Sequence, residues 1–120
     1  MAENTCKPRV PVAESMSLAG LVDFASDSVV SRTLLENEAG TITMFAFDEG
    51  QGLSEHTTPF DAFVQVVDGV GEFGIGGKTV TAREGEILVM PANVPHAVKA
   101  VAHFKMLLTM LRAGCCGHDA

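Results

Sequence analysis

Apolar and polar residues alternate in short runs along most of this chain, and turn residues punctuate the runs. From Ser28 onward the runs are SVVSRTLLE (28–36), TITMFAFDE (41–49), LSEH (53–56), AFVQVVD (62–68), GEFGI (71–75), KTVTA (78–82), ILVM (87–90), HAVKAVA (96–102) and FKMLLTMLR (104–112). Between them lie NEAG, GQG, TTPFD, Gly76-Gly77, REGE and PANVP. About nine short strands at spacings of roughly 8–12 residues predict an all-β sandwich or barrel. Seven of the twelve glycines fall between positions 50 and 77. Alternation resumes on either side of each, so they read as tight turns and not as a flexible linker.

Two segments depart from this texture. Leu18, Leu21, Val22 and Ala25 in SLAGLVDFA (17–25) recur at helical spacing behind Ser17, a plausible N-cap, and predict a short helical turn. In the last run only Lys105 and Thr109 interrupt Phe104, Met106, Leu107, Leu108, Met110 and Leu111. A strand with one wet face alternates more cleanly, so this one is expected to be covered on both faces, by a second subunit or by the N-terminal segment. A terminal helix is the alternative for the same residues. The domain reading is a tail or arm over 1–16, one β domain over 17–112 and a second tail over 113–120.

Length and composition narrow the function classes. At 120 residues the chain is one domain's worth, and 47% apolar residues exclude intrinsic disorder. The net charge of −7 argues against nucleic acid, whose phosphates call for a basic face. No run approaches the ~18 uncharged apolar residues of a spanning helix, and the first fifteen residues lack the apolar stretch of a signal peptide. Three cysteines, Cys6, Cys115 and Cys116, imply no disulfide framework and point to a reducing cytoplasm. The aromatic set is seven Phe with no Trp or Tyr.

Gly69-Val-Gly71-Glu-Phe-Gly74 matches the dinucleotide-binding pattern in letters only, because Gly76-Gly77 follow where a helix must begin. Gly77-Lys78-Thr79 resembles the end of a phosphate-binding loop, but Glu72 stands where its first glycine belongs. Cys115-Cys116-Gly117-His118 offers soft ligands at spacing too tight for one tetrahedral ion. His56 and His96 are better placed, each at the end of a predicted strand. Gly50, His56 and Gly69 form one spaced set, and Gly85, Pro91 and His96 form another.

In these two sets the sequence resembles the cupins, specifically small single-domain cupins of the RmlC-like conserved-barrel type, over about residues 28–112. The first cupin motif is Gly, five residues, His-x-His, a Glu, then Gly. Gly50, His56 and Gly69 match it, with Thr58 at the second His and Ala62 at the Glu. The second motif is Gly, five residues, Pro-x-Gly, two residues, His, then Asn. Gly85, Pro91 and His96 match it, with Asn93 at the Gly and Ala100 at the Asn. Asn is a mild replacement because it tolerates left-handed backbone. The resemblance implies a double-stranded β-helix, or jelly-roll barrel, whose mouth holds a metal through three His and one Glu.

Only His56 and His96 of that ligand set are present. Thr58 is a poor ligand and Ala62 is none. Strand alternation turns Glu55 away from the His56 face, and Asp61 sits in a turn from which it could swing in. If the motif positions face inward, Ala62, Val64 and Val66 line one wall, and His96, Val98 and Ala100 another. His56, Thr58 and His96 then form a polar rim over an apolar cup. Gln65 and Lys99 point outward, and His103 has no evident partner.

Three readings follow. The first is a small-molecule-binding barrel without a complete metal site and without a cofactor. The second is a metal-dependent enzyme of dioxygenase or isomerase type, with nickel, zinc, iron or manganese on His56 and His96. The third is a structural role in which the two histidines fix the barrel mouth. A homodimer is expected from the two-sided last strand.

Overall fold

The computed structural model describes residues 8–113. The nine predicted strands are all present: β1 (Val29–Asn37), β2 (Gly40–Phe47), β3 (Gly52–His56), β4 (Phe60–Asp68), β5 (Val70–Ile75), β6 (Lys78–Arg83), β7 (Ile87–Met90), β8 (His96–Lys99) and β9 (Phe104–Arg112). They form two antiparallel sheets, ordered β1-β2-β9-β4-β7 and β3-β8-β5-β6, which face each other as a jelly roll. Most boundaries move by one or two residues, and two of the shifts bear on the site. β4 starts at Phe60, ahead of Ala62. β8 ends at Lys99, because Ala100 exchanges backbone hydrogen bonds with Gln51 and Gly50 and the chain then bends at 101–102.

Turn chemistry sets the β5–β6 hairpin. Gly76 and Gly77 have φ of 58° and 87°, and a two-residue loop of the type that matches strand twist needs positive φ at both positions. Those same glycines are why the preceding GxGxxG letters cannot open a helix.

The interior between the sheets is apolar. Phe47 stacks on Phe104 at 4.8 Å and on Phe45 at 5.7 Å, and Phe73 meets Phe104 edge-on at 6.1 Å. Phe carries no polar atom, so this aromatic cluster leaves nothing to satisfy by hydrogen bonding. A Cβ on Gly71 would stand 2.6 Å from the Phe104 ring, so only glycine lets that ring lie flat against β5.

The last run is a strand, and its two faces are covered differently. Phe104, Met106 and Leu108 enter the interior, while Lys105 and Leu107 point outward beneath the N-terminal segment. There Leu18, Leu21, Val22 and Phe24 pack on Met44, Ala46 and Leu107 as a second apolar cluster. The expected helix is one 3-10 turn, Ala19–Leu21, with the Ser17 hydroxyl accepting from the Gly20 N–H. A single turn gains too little to propagate. Val22 is instead extended, and buries its side chain in the second cluster. Lys105 is buried and donates to the Ala19 carbonyl at 2.7 Å, with its ammonium 5.1 Å from the Phe24 ring centre. Arg32 donates to the Leu21 carbonyl, and the His103 ring lies tilted by 36° against Phe24, 4.3 Å between centres. Residues 8–10 run beside β1, where Arg9 donates its N–H to the Leu34 carbonyl and pairs with Glu36.

This arm covers one end of the five-stranded sheet's outer face and leaves the other end bare. Register places Leu35, Ile42, Thr109, Phe63 and Val89 in one row across all five strands of that bare end. Cys6, Cys115, Cys116 and His118 lie outside the described residues.

Candidate functional site at the barrel mouth

His56 closes β3, His96 opens β8, and the two are register partners. A bulge between Leu53 and His56 turns both of these residues toward the interior, although they lie three positions apart. The imidazole rings sit edge to face, 4.5 Å between centres and 66° between planes. His96 is 4% exposed, and His56 is open to solvent.

Each ring is anchored by its own strand end. His56 Nδ1 lies 2.8 Å from the Ser54 carbonyl oxygen, and His96 Nδ1 lies 3.2 Å from that of Val94. A carbonyl oxygen only accepts, so Nδ1–H is the donor in both rings. In the neutral imidazoles Nε2 is then a bare acceptor. Two such acceptors at the barrel mouth are the distinctive chemistry of this structure.

The crossovers between the sheets position the pair. The chain passes from His56 to Phe60 and from Met90 to His96 at the same end of the barrel. Asn93 adopts φ 64°, the left-handed backbone its amide tolerates, and donates its N–H to the Thr58 carbonyl at 2.8 Å. Asp61 accepts from the Ala92 N–H at 2.9 Å, which ties the two crossovers together. Its carboxylate therefore braces the turn. Thr58 Oγ1 donates to the Phe60 carbonyl and accepts from the Phe60 N–H, so its hydroxyl serves its own turn. Glu55 is exposed.

Ala62, Val64, Val66, Val98 and Ala100 all face inward, as the strand pattern implies. They pack within the closed core, with Val64 at 0% exposure and Ala62 at 1%, so they do not line an open cup. The sequence reading missed the methionines. Ala62 pairs with Met90 on one side and Met110 on the other, and directly opposed residues share a face. Met90 was legible as the inward phase of ILVM once Ala62 is inward. Met90, Ala62 and Met110 thus share the inward face of their sheet near the end from which the chain crosses to His56 and His96. Thioether chains are adaptable and can yield to an incoming group.

The residues present do not make up the four-ligand metal set that the sequence resemblance implies. Two imidazoles stand where three and a carboxylate belong, Ala62 fills the carboxylate position, and Asp61 is engaged elsewhere. Among the described residues no three His, Cys, Asp or Glu side chains gather as a metal-holding group.

The model of the Cupin_2 family, a cupin domain, matches residues 43–111. A conserved protein of unknown function, SPY1581 from Streptococcus pyogenes, is 36% identical, covers 88% of this chain and 93% of its own, and superposes with a TM-score of 0.83. A cupin 2 conserved barrel domain protein from Leptotrichia buccalis is 37% identical over 80% of this chain, with a TM-score of 0.78; the match spans 47% of that protein. An RmlC-like cupin from Desulfovibrio desulfuricans is 33% identical, covering 82% of this chain and 96% of its own, with a TM-score of 0.71. No curated protein matches the sequence. The jelly roll, the spacing of His56 and His96 and these likenesses together make the chain a member of the cupin family.

Proposed function

We propose that this cupin binds a small organic molecule at the barrel mouth, in the cytoplasm, without a resident metal. The observation that carries this reading is the shared anchoring of His56 and His96. Both Nδ1–H groups are committed to backbone, so both Nε2 atoms accept from the ligand's N–H or O–H groups. Met90 and Met110, on the inward face at the same end of the barrel, yield to the ligand's apolar part, because methionine adapts its shape. No step of chemistry is assigned, because a shared fold does not carry a shared reaction.

A thermal-shift screen of small amines, phenols, amides and carboxylates on metal-stripped protein tests the reading, since a ligand that binds only the folded state raises the midpoint. Supporting hits carry donor groups and lose their shift in His56→Ala and His96→Ala. Stoichiometric nickel, zinc, iron or manganese in the untreated protein, lost in His56→Ala, would overturn the metal-free reading in favour of metal-dependent chemistry. No hit from any class, with both variants altering stability alone, would leave the histidines a structural role.

A further inference from the structure

The hairpin formed by β1 and β2 is gripped by two arginines from far apart in the sequence. Arg9 donates its backbone N–H to the Leu34 carbonyl at 2.9 Å and pairs its guanidinium with Glu36, also at 2.9 Å. Arg112 donates its backbone N–H to the Ala39 carbonyl at 3.0 Å, and both Nε and Nη2 to the Glu38 carbonyl. Its guanidinium lies 5.6 Å from the Phe60 ring centre, and Ala113 donates to the Pro59 carbonyl. The Asn37 side chain braces the turn by accepting from the Ala39 N–H. The two grips, at Glu36 and Glu38, are two positions apart on one hairpin.

All three cysteines of the sequence lie just beyond these grips. Cys6 precedes Arg9 by three residues, and Cys115 and Cys116 follow Ala113 by two and three. Residues 8–113 contain no cysteine. The thiols are thus confined to two flanks whose roots the fold brings to the same end of the sheet.

Strand geometry sets the distance to be bridged. Arg9 lies outside β1 at Leu34, and β1, β2 and β9 are consecutive in the sheet, so three strand spacings make roughly 14 Å across. Register carries Leu35 through Ile42 to Thr109, and Ala113 lies four residues further on, roughly 13 Å along the strand. Root to root is therefore about 20 Å. Three extended residues span about 10 Å and two about 7 Å, and a disulfide joins Cα atoms about 5.5 Å apart. Cys6 thus reaches Cys115 over about 22 Å and Cys116 over about 26 Å, and both spans exceed the gap.

We propose that Cys6 and the Cys115-Cys116 pair form a reversible redox clasp, closing a disulfide across the β1–β2 hairpin. The oxidant is a small-molecule disulfide such as oxidised glutathione. A cysteine thiolate on one flank attacks it, forms a mixed disulfide and releases one glutathione thiol. A thiolate on the other flank attacks the cysteine sulfur of that mixed disulfide and releases the second. Two electrons and two protons pass from the cysteines to glutathione. In a reducing compartment the clasp stands open, and it closes as the thiol pool is oxidised. Once closed it ties the arm to the end of β9 and encloses nearly the whole chain in one loop, which restrains the unfolded chain more than the folded one.

The test equilibrates the full chain, at low micromolar concentration, in glutathione buffers of rising oxidised fraction. Thiols are then capped, and trypsin with mass spectrometry locates the bond. The expected product is a monomer two hydrogens lighter, with peptide 1–9 linked to peptide 113–120. Cys6→Ser abolishes the link, as does C115S/C116S. Closure raises the unfolding midpoint by about 10 °C. In urea-unfolded chain the same buffers close the bond about 100-fold less readily, because the hairpin no longer gathers the flanks. A bond only between copies, a bond only between Cys115 and Cys116, or no link between the two peptides in any buffer each overturns the proposal. Equal closure in folded and unfolded chain also overturns it, as does a midpoint that stays put or falls.

Discussion

His56 and His96 oppose each other across β3 and β8, and each ring donates its Nδ1–H to the carbonyl two residues before it. The shared geometry has unequal energetic consequences, because His96 is buried and His56 is exposed. Replacing His96 by Ala removes a packed ring and leaves the Val94 carbonyl short of a donor, an expected loss of about 1–3 kcal/mol. His56→Ala is expected to stay within about 0.5 kcal/mol, as surface changes do. Urea unfolding of the two variants checks the contrast, and nitrogen NMR of the neutral rings is expected to find the proton on Nδ1 in both.

Asn93 supplies a second test. Its φ of 64° is the conformation a glycine adopts at no steric cost. Asn93→Gly should therefore be neutral or gain a few tenths of a kcal/mol, whereas Asn93→Val should cost about 1–3 kcal/mol through strain. Equal denaturation midpoints for the two variants would contradict this account of the turn.

Gly71 is constrained by a neighbour and not by its backbone angle. A methyl group there meets the Phe104 ring, which is wedged between Phe47 and Phe73 and cannot retreat. Gly71→Ala is expected to cost about 1–3 kcal/mol by overpacking. Combining it with Phe104→Leu should recover part of that loss, which a double-mutant cycle would measure.

Lys105 holds the arm. Its ammonium donates to the Ala19 carbonyl and faces Phe24, so Lys105→Met keeps the apolar stem and loses only the polar tip. The expected cost is about 1.5–3 kcal/mol, the range for a hydrogen bond from a charged donor. Amide exchange at Val22 and Met44 should quicken in the variant, with exchange at Phe73 unchanged.

Asp48 gives the fold an acid-sensitive tie. Its carboxylate accepts from the Asp27 N–H at 2.7 Å, and this bond, with a second from the Glu49 N–H, holds its pKa below the usual carboxylate range; partial desolvation opposes the shift and nearby His103 adds to it. A folded pKa below the unfolded value means the contribution is present above about pH 4 and is lost as pH falls through the lowered value. Asp48→Asn should be less stable at neutral pH and should lose stability less steeply below about pH 4. Parallel pH–stability curves for wild type and variant would contradict the assignment.

Strand positions were legible because alternation and turn glycines agree, as at Gly76-Gly77, where the turn needs the residues present. The spacing of Gly50, His56, Gly85, Pro91 and His96 located the mouth for a similar reason: short crossovers bring the ends of β3 and β8 together. Depth was not legible. Nothing in the alternation of Ala62, Val64 and Val98 distinguishes the wall of a cup from a filled interior, because both need small inward apolar residues. The commitment of Thr58 and Asp61 to turns depends on hydrogen bonds that only folded coordinates contain. The burial of Lys105 was hidden too, because its partner is the backbone carbonyl of a residue 86 positions away.

β9 comes after every other strand along the chain, yet it lies in the middle of its sheet, between β2 and β4. A ribosome therefore releases β1, β2, β4 and β7 before the strand that joins them exists. Until residues 104–112 emerge, β2 and β4 each expose an unpaired edge, and the arm lacks Lys105 and Leu107 beneath it. The five-stranded sheet can close only once residues 104–112 have been made, through contacts distant in sequence, which is the slow regime for folding. Truncation before residue 104 should thus leave chaperone-dependent, aggregation-prone chains rather than a smaller barrel.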